Sequence, residues 1–143
     1  MITLEEAAAY FATRLNTDAW GDASMVNRSK AIAQASRIID NLSFLGTRED
    51  STQEHAFPRT GIGTPTPVKY ACAELALALL DGVDPDLEFE NLLTSNFSFA
   101  EARASYDRRN LPQHIIAGVV SLTAWNFLRP YLRDPQEVTL NRV

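Results

Sequence analysis

Between Val68 and Leu80 the apolar residues Val68, Ala71, Cys72, Leu75, Ala76, Leu79 and Leu80 alternate spacings of three and one without a break. Such a run puts a broad face of one helix under cover, and a covered helix needs other elements packed around it. The fold class is therefore read as mainly α. Two further segments can supply the cover. Thr3-Leu4-Glu5-Glu6 is a capping box, with Thr3 accepting from the Glu6 amide and Glu6 reaching back, so a helix starts there with Leu4, Ala8, Phe11 and Leu15 as its stripe. Asn16-Thr17-Asp18 breaks that stripe, and Trp20 in the connection is expected to pack back on it. From Ser24 to Leu45, the residues Ile32, Ala35, Ile38, Ile39, Leu42 and Leu45 share one face. Gly46 sits where a left-handed C-terminal cap is wanted, and 47–54 reads as a polar loop.

Beyond the central run, Asp81-Gly82 ends the helix and Asp84-Pro85-Asp86 turns the chain away. From Leu87 to Asp107 helical periodicity weakens. Phe97-Ser98-Phe99, and then Glu101, Arg103 and Ser105 alternating with Ala102, Ala104 and Tyr106, follow period two and predict a short β-hairpin or extended arm near 87–110. Residues 115–120 fit strand or helix. A last short helix opens at Ser121 with Leu122, Trp125 and Leu128 inward, and ends or kinks near Pro130. A chain of 143 residues is the size of one domain and buries roughly 70% of its unfolded surface. The expected architecture is one helical domain over 1–134, a bundle of about four helices with the arm, followed by a C-terminal docking tail over 135–143.

Composition narrows the function classes. The formal net charge is -5, and from Glu74 to Glu90 there are six acids with no lysine or arginine, so the long-range field repels polyanions. The N-terminus carries acids where a signal peptide carries bases, and no apolar run approaches a membrane span, which predicts a soluble, unexported protein made in the cytoplasm with no membrane partner. Cys72 is the single cysteine and sits within the apolar helical face, where a thiol is inert core. His55 and His114 are the two histidines, far apart in sequence, and read as structural or surface residues. Gly61-Ile62-Gly63 invites a phosphate-loop reading, but the Gly-Lys-Ser/Thr ending, the preceding strand and the third dinucleotide-fingerprint glycine are missing. It reads as a turn, with Thr66-Pro67, or Thr64-Pro65 one step earlier, as N-cap and first helical proline. Glu88 and Glu90 would share one face of a strand and read as a solvated acidic patch. No Gly-x-Ser-x-Gly elbow occurs. The reading is a non-enzymatic protein with no catalytic residues, no metal site and no cofactor.

Two features remain for recognition. Arg59, beside Pro58 and after Phe57, can bond carbonyls of its own chain or a neighbouring subunit's carboxylate, and less readily a phosphate, since a lone arginine supplies little of the multi-contact attraction nucleic-acid binders use. Arg103, Tyr106, Arg108 and Arg109 put basic residues next to an aromatic, as a nucleic-acid surface does and as the rim of an oligomer interface does.

The order of segments "EEAAAYFATR", "AIAQASRIIDNLSFLG", "QEHAFPRTGI", "PVKYACAELALALL" and "AGVVSLTAWNFLRPYL" resembles that of tailed-phage head-tail connector or adaptor proteins, including a related group catalogued as DnaT-like single-stranded-DNA-binding proteins. The resemblance spans nearly the whole chain and is most specific from Gln53 to Leu80. It implies a helical subunit of a ring, taken as a dodecamer, in the virion neck, with the portal protein above, a tail or nozzle protein below, and genomic DNA passing through the lumen without sequence-specific binding. By position it implies subunit or portal contacts at Phe57 and Arg59, at Arg103, Tyr106, Arg108 and Arg109, at Arg129, Tyr131 and Arg133, and in the tail ending at Val143. Val120 stands where the pattern has a proline, which leaves the start of the last helix open. The alternative function is single-stranded-DNA binding as a primosome accessory. The two differ over charge, since a strand binder loses affinity steeply with salt.

Overall fold

The computed structural model describes the backbone of residues 1–102 and 112–133, and the side chains of 1–94 and 112–133. It is a small helical bundle built of α1 (Leu4–Phe11), α2 (Asp18–Asp22), α3 (Met25–Asp40), α4 (Thr66–Leu80), α5 (Pro85–Ala102), α6 (Gln113–Ile116) and α7 (Leu122–Leu128), closed by a 3-10 turn over Arg129–Tyr131. No named strand forms among the described residues; only isolated bridges occur.

α4 is the hub. Val68, Ala71, Cys72, Ala73, Leu75 and Ala76 are fully buried, and α3 and α7 pack on it most extensively, with α1 and α2 adding smaller contacts. Its alanines let neighbouring backbones approach closely, while a fully covered side chain such as Leu75 contributes roughly 1.5–3 kcal/mol. Pro65 is the N-cap residue of this helix and Thr66 its first residue, so neither threonine caps it through its hydroxyl, contrary to the sequence expectation. Pro67 falls within the first turn, where a missing amide leaves no bond unmade.

At the N-terminus both halves of the capping box form, Glu6 N to Thr3 Oγ1 at 3.1 Å and Thr3 N to Glu6 Oε2 at 2.9 Å. The stripe differs from the expected one. Ala7 and Phe11 are buried, Ala8 is exposed, and Leu15 is 83% exposed. The reason is length: α1 ends at Phe11, and Asn16, at φ 59°, redirects the chain, so helical spacing no longer decides where Leu15 points. Trp20 does pack back, its ring 4.8 Å from that of Phe11.

α3 stops at Asp40 rather than near Leu45. Residues 43–45 leave the helix to lie antiparallel to 131–133, with Leu45 N donating to Tyr131 O and Arg133 N donating to Ser43 O, both at 2.9 Å. Leu45 is consequently exposed, and Gly46, at φ 75°, serves the loop and not a helix cap. Ser121 opens α7 as expected, accepting from Ala124 N; Ala124 and Leu128 face inward while Leu122 is exposed.

The period-two reading of 97–102 is overturned, because these residues continue α5. Asp84-Pro85 begins that helix: the Asp84 side chain accepts from Asp86 N at 3.0 Å, and proline occupies the first helical position. None of residues 85–94 is buried, so helical spacing is faint in this part of the sequence. On a helix, Glu88 and Glu90 point to different sides and do not form the shared strand face expected. The remainder of the expected arm, 103–111, and the tail, 134–143, lie outside the described residues. The ambiguous run 115–120 resolves into the end of α6, a turn at Gly118 (φ 82°) and buried Val119.

Candidate assembly surface

The stretch from Phe44 to Gly63 is organised by one side chain. Arg59 is 8% exposed, and its guanidinium donates to four carbonyls: Leu45 O at 2.7 Å, Gly46 O at 2.6 Å, Ala56 O at 3.1 Å and Phe44 O at 3.4 Å. The Phe44 and Phe57 rings each lie 6.0 Å from the guanidinium carbon and meet edge to face at 4.7 Å. The Phe57-Pro58 peptide is cis. The backbone of Arg59 exchanges two 2.9 Å hydrogen bonds with Gly63, leaving Thr60, Gly61 and Ile62 exposed at the tip of the turn. Gly61 and Gly63, at φ 82° and 61°, make that reversal possible without a strained side chain.

The question left open for Arg59 is thereby answered within its own chain. Its partners are carbonyls of the loop, and Phe57 beside it is also buried. Both residues hold the turn from inside, and little of either is exposed in the single chain. Burial lowers the Arg59 pKa, and the like charges of Arg133 and Arg48 lower it further, so three cations converge here.

Asp40, at the C-terminal end of α3, fixes the other side of the loop. Its two oxygens take Ala56 N at 2.8 Å and His55 Nδ1 at 2.7 Å. His55 is thus a loop fastener, as the structural reading expected. Burial lowers the His114 pKa and raises that of the Cys72 thiol, which also lies 3.5 Å from Ser36 Oγ. Among the described residues no group of three His, Cys, Asp or Glu side chains could hold a metal ion. No helix of the described residues is long and apolar enough to cross a membrane.

Sequence reasoning missed Glu74. It is 2% exposed, and one oxygen receives both the Tyr10 hydroxyl and Arg14 Nε at 2.5 Å. Burial and the adjacent Glu74 carboxylate push the Tyr10 hydroxyl well above the ordinary tyrosine pKa. The available signal was an acid inside an otherwise apolar helical run, with Tyr10 and Arg14 one turn apart to meet it. Arg28 donates to Trp20 O and Gly21 O, and Lys69 pairs with Glu6 at 2.8 Å. Arg14, Arg28, Arg59 and Lys69 are all engaged inside the chain.

The surface offers a mainly apolar groove of about 470 Å³, lined by Leu42, Ile116, Ala117, Trp125 and Leu132, with exposed Arg133 at its edge. Arg129 is exposed and Tyr131 half-buried close by in the chain. Of the other expected contact residues, Arg103, Tyr106, Arg108, Arg109 and Val143 lie outside the described residues.

A family described as "Putative DnaT-like ssDNA binding protein" matches residues 1–94, two-thirds of the chain. The chain belongs to this family. The match takes in α1 to α4, the Arg59 loop and the start of α5. No curated protein and no solved structure matches the chain.

Proposed function

We propose that this family member is a non-enzymatic assembly subunit: a head-tail adaptor of a tailed phage, forming a ring beneath the portal and joining it to the tail. The resemblance described above supplies the neck and its partners. The observation that carries the reading is the use of charge. Arg14, Arg28, Arg59 and Lys69 are spent on carboxylates and carbonyls of their own chain, while Asp86, Glu88 and Glu90 stand on a helix with no buried side chain in its described part and Asp84 just before it. With a formal net charge of -5, a ring of such subunits has little long-range pull on DNA phosphates. In this reading the cofactor set is empty, the ring interface draws on Arg129, Tyr131 and Arg133, and the site of action is the virion neck.

The second reading is single-stranded-DNA binding, and the family's description favours it more directly than the adaptor. It would rest on Arg103, Tyr106, Arg108 and Arg109, with aromatic stacking and phosphate contacts. Electron microscopy of the protein mixed with a portal, together with a salt titration on oligothymidylate, separates the two. Rings at the portal and weak strand binding support the adaptor. Tight binding at physiological salt that is lost in the R103A/R108A/R109A variant overturns it.

A further inference from the structure

None of the described side chains of helix α5, residues 85–94, is buried. Its substantial packing is against α6, and three exposed large apolar side chains, Leu87, Phe89 and Leu93, lie on it. The half-covered residues Pro85, Glu88 and Leu92 recur at three and four and mark the side turned to its own bundle. Phe89 and Leu93, one turn apart, adjoin that side on the open flank. Asp86 and Glu90 follow them around the helix, both exposed. A helix with this pattern is an apolar ridge with an acidic border.

The groove of Leu42, Ile116, Ala117, Trp125 and Leu132 has the opposite character: apolar walls and a cationic edge. Arg133 stands at that edge, and its field and that of Arg48 both reach Arg59, whose guanidinium is met by carbonyls and by no carboxylate among the described residues. Its volume of about 470 Å³ lies within the range in which proteins seat ligand groups or anchor side chains. We propose that the occupant of this groove is the α5 ridge of a second copy of the chain, with Phe89 and Leu93 seated on Trp125 and Leu132, and Asp86 and Glu90 facing Arg133. This inference rests on the ring reading above and names the contact that builds the ring.

Charge complementarity selects the occupant. An acidic amphipathic helix laid into an apolar groove with basic edges is a recurrent recognition mode, and opposite charge sets its orientation and speeds its encounter. In the ring reading each copy offers both halves, and successive copies join head to tail until the rotation closes.

The test uses the full chain and thiol pairs, since the native thiol at Cys72 is buried. Leu93 and Ile116 are 43% and 49% exposed, so L93C and I116C leave the core intact. Mixing the two single variants permits this disulfide only between copies. The expected result is a mixed L93C–I116C dimer formed about ten times faster than L93C with V26C, an exposed control at the far end of α3, and slowed about tenfold by F89E in the ridge partner. Equal rates for both mixtures, or a dominant L93C–L93C species, overturn the inference. If oligothymidylate shields the introduced thiol of I116C from a thiol reagent, the groove belongs to nucleic acid and the inference also fails. Rings that persist in F89E and I116E would reject this contact while leaving the adaptor reading standing. Wild-type chains that remain monomeric with and without portal would reject both.

Discussion

Replacing Arg59 by methionine keeps the stem that packs beside Phe44 and Phe57 and removes every donor. Four carbonyls then lose their partner. Those of Leu45 and Gly46 belong to exposed residues that water can reach, whereas those of Phe44 and Ala56 belong to residues 3% exposed. A buried carbonyl without a donor costs about 1–3 kcal/mol, which gives about 2–6 for the pair. Removing a desolvated cation whose partners among the described residues are carbonyls offsets part of this, so the expected loss is about 3 kcal/mol. In urea, with a slope of about 1.5 kcal/mol per molar, the unfolding midpoint falls by about 2 M. Helical circular dichroism should persist below the transition, because α3 and α4 pack on each other independently of the loop, while the Gly63 amide, bonded to Arg59 O, exchanges faster. R48M, at an exposed neighbouring position, is the control and should stay within about 0.5 kcal/mol of wild type. A midpoint shift in R59M no larger than that of R48M would refute the view that this guanidinium organises the loop.

Other consequences are open to direct measurement. The raised Tyr10 pKa means the folded chain holds that proton more tightly than the unfolded chain, so its contribution is full below about pH 10 and is lost as pH rises further; Y10F should flatten this alkaline loss while lowering neutral-pH stability by about 1–2 kcal/mol. The lowered His114 pKa has the opposite sign: its contribution is present above about pH 6.5 and fades on acidification, so H114Q should show a shallower stability loss between pH 6.5 and 5 in denaturant titrations. L15D should be neutral within about 0.5 kcal/mol and A7D should lose more than about 3, and equal effects would restore the stripe read from sequence. Cys72 should react with a disulfide reagent only as fast as the chain unfolds, measured with and without urea; rapid reaction of the native protein would contradict its burial.

What the sequence disclosed follows from where selection acts on apolar spacing. α4 was plain because its apolar run is buried on most sides, and the start of α1 because a capping box is a local chemical statement. Boundaries set by distant partners were not legible. The end of α3 depends on 43–45 pairing with 131–133, far downstream, and no local signal announces that. α5 misled for the converse reason: a helix exposed over its described side chains needs no stripe, and the alternation of aromatics and serine at 97–99 imitated a strand. At the site, Phe57, Pro58 and Arg59 stood out in sequence, yet the partners of Arg59 are backbone atoms, to which residue identity gives no clue. The groove joins residues from the α3 end, α6, α7 and the segment after the 3-10 turn, and only the assembled bundle brings them together.

The short backbone pairing between 43–45 and 131–133 also has a mechanical meaning. Two hydrogen bonds tie the last described residue, Arg133, and nearby Tyr131 to the loop that Arg59 closes. A pull on the chain beyond Arg133 is therefore borne first by Ser43 and then by Leu45, one bond after the other, before it reaches α7. Because the same loop is anchored at Asp40 through Ala56 and His55, the load ends on α3 and on the core behind it. In the adaptor role proposed above, that route would make the α3–α4 loop a tie-rod.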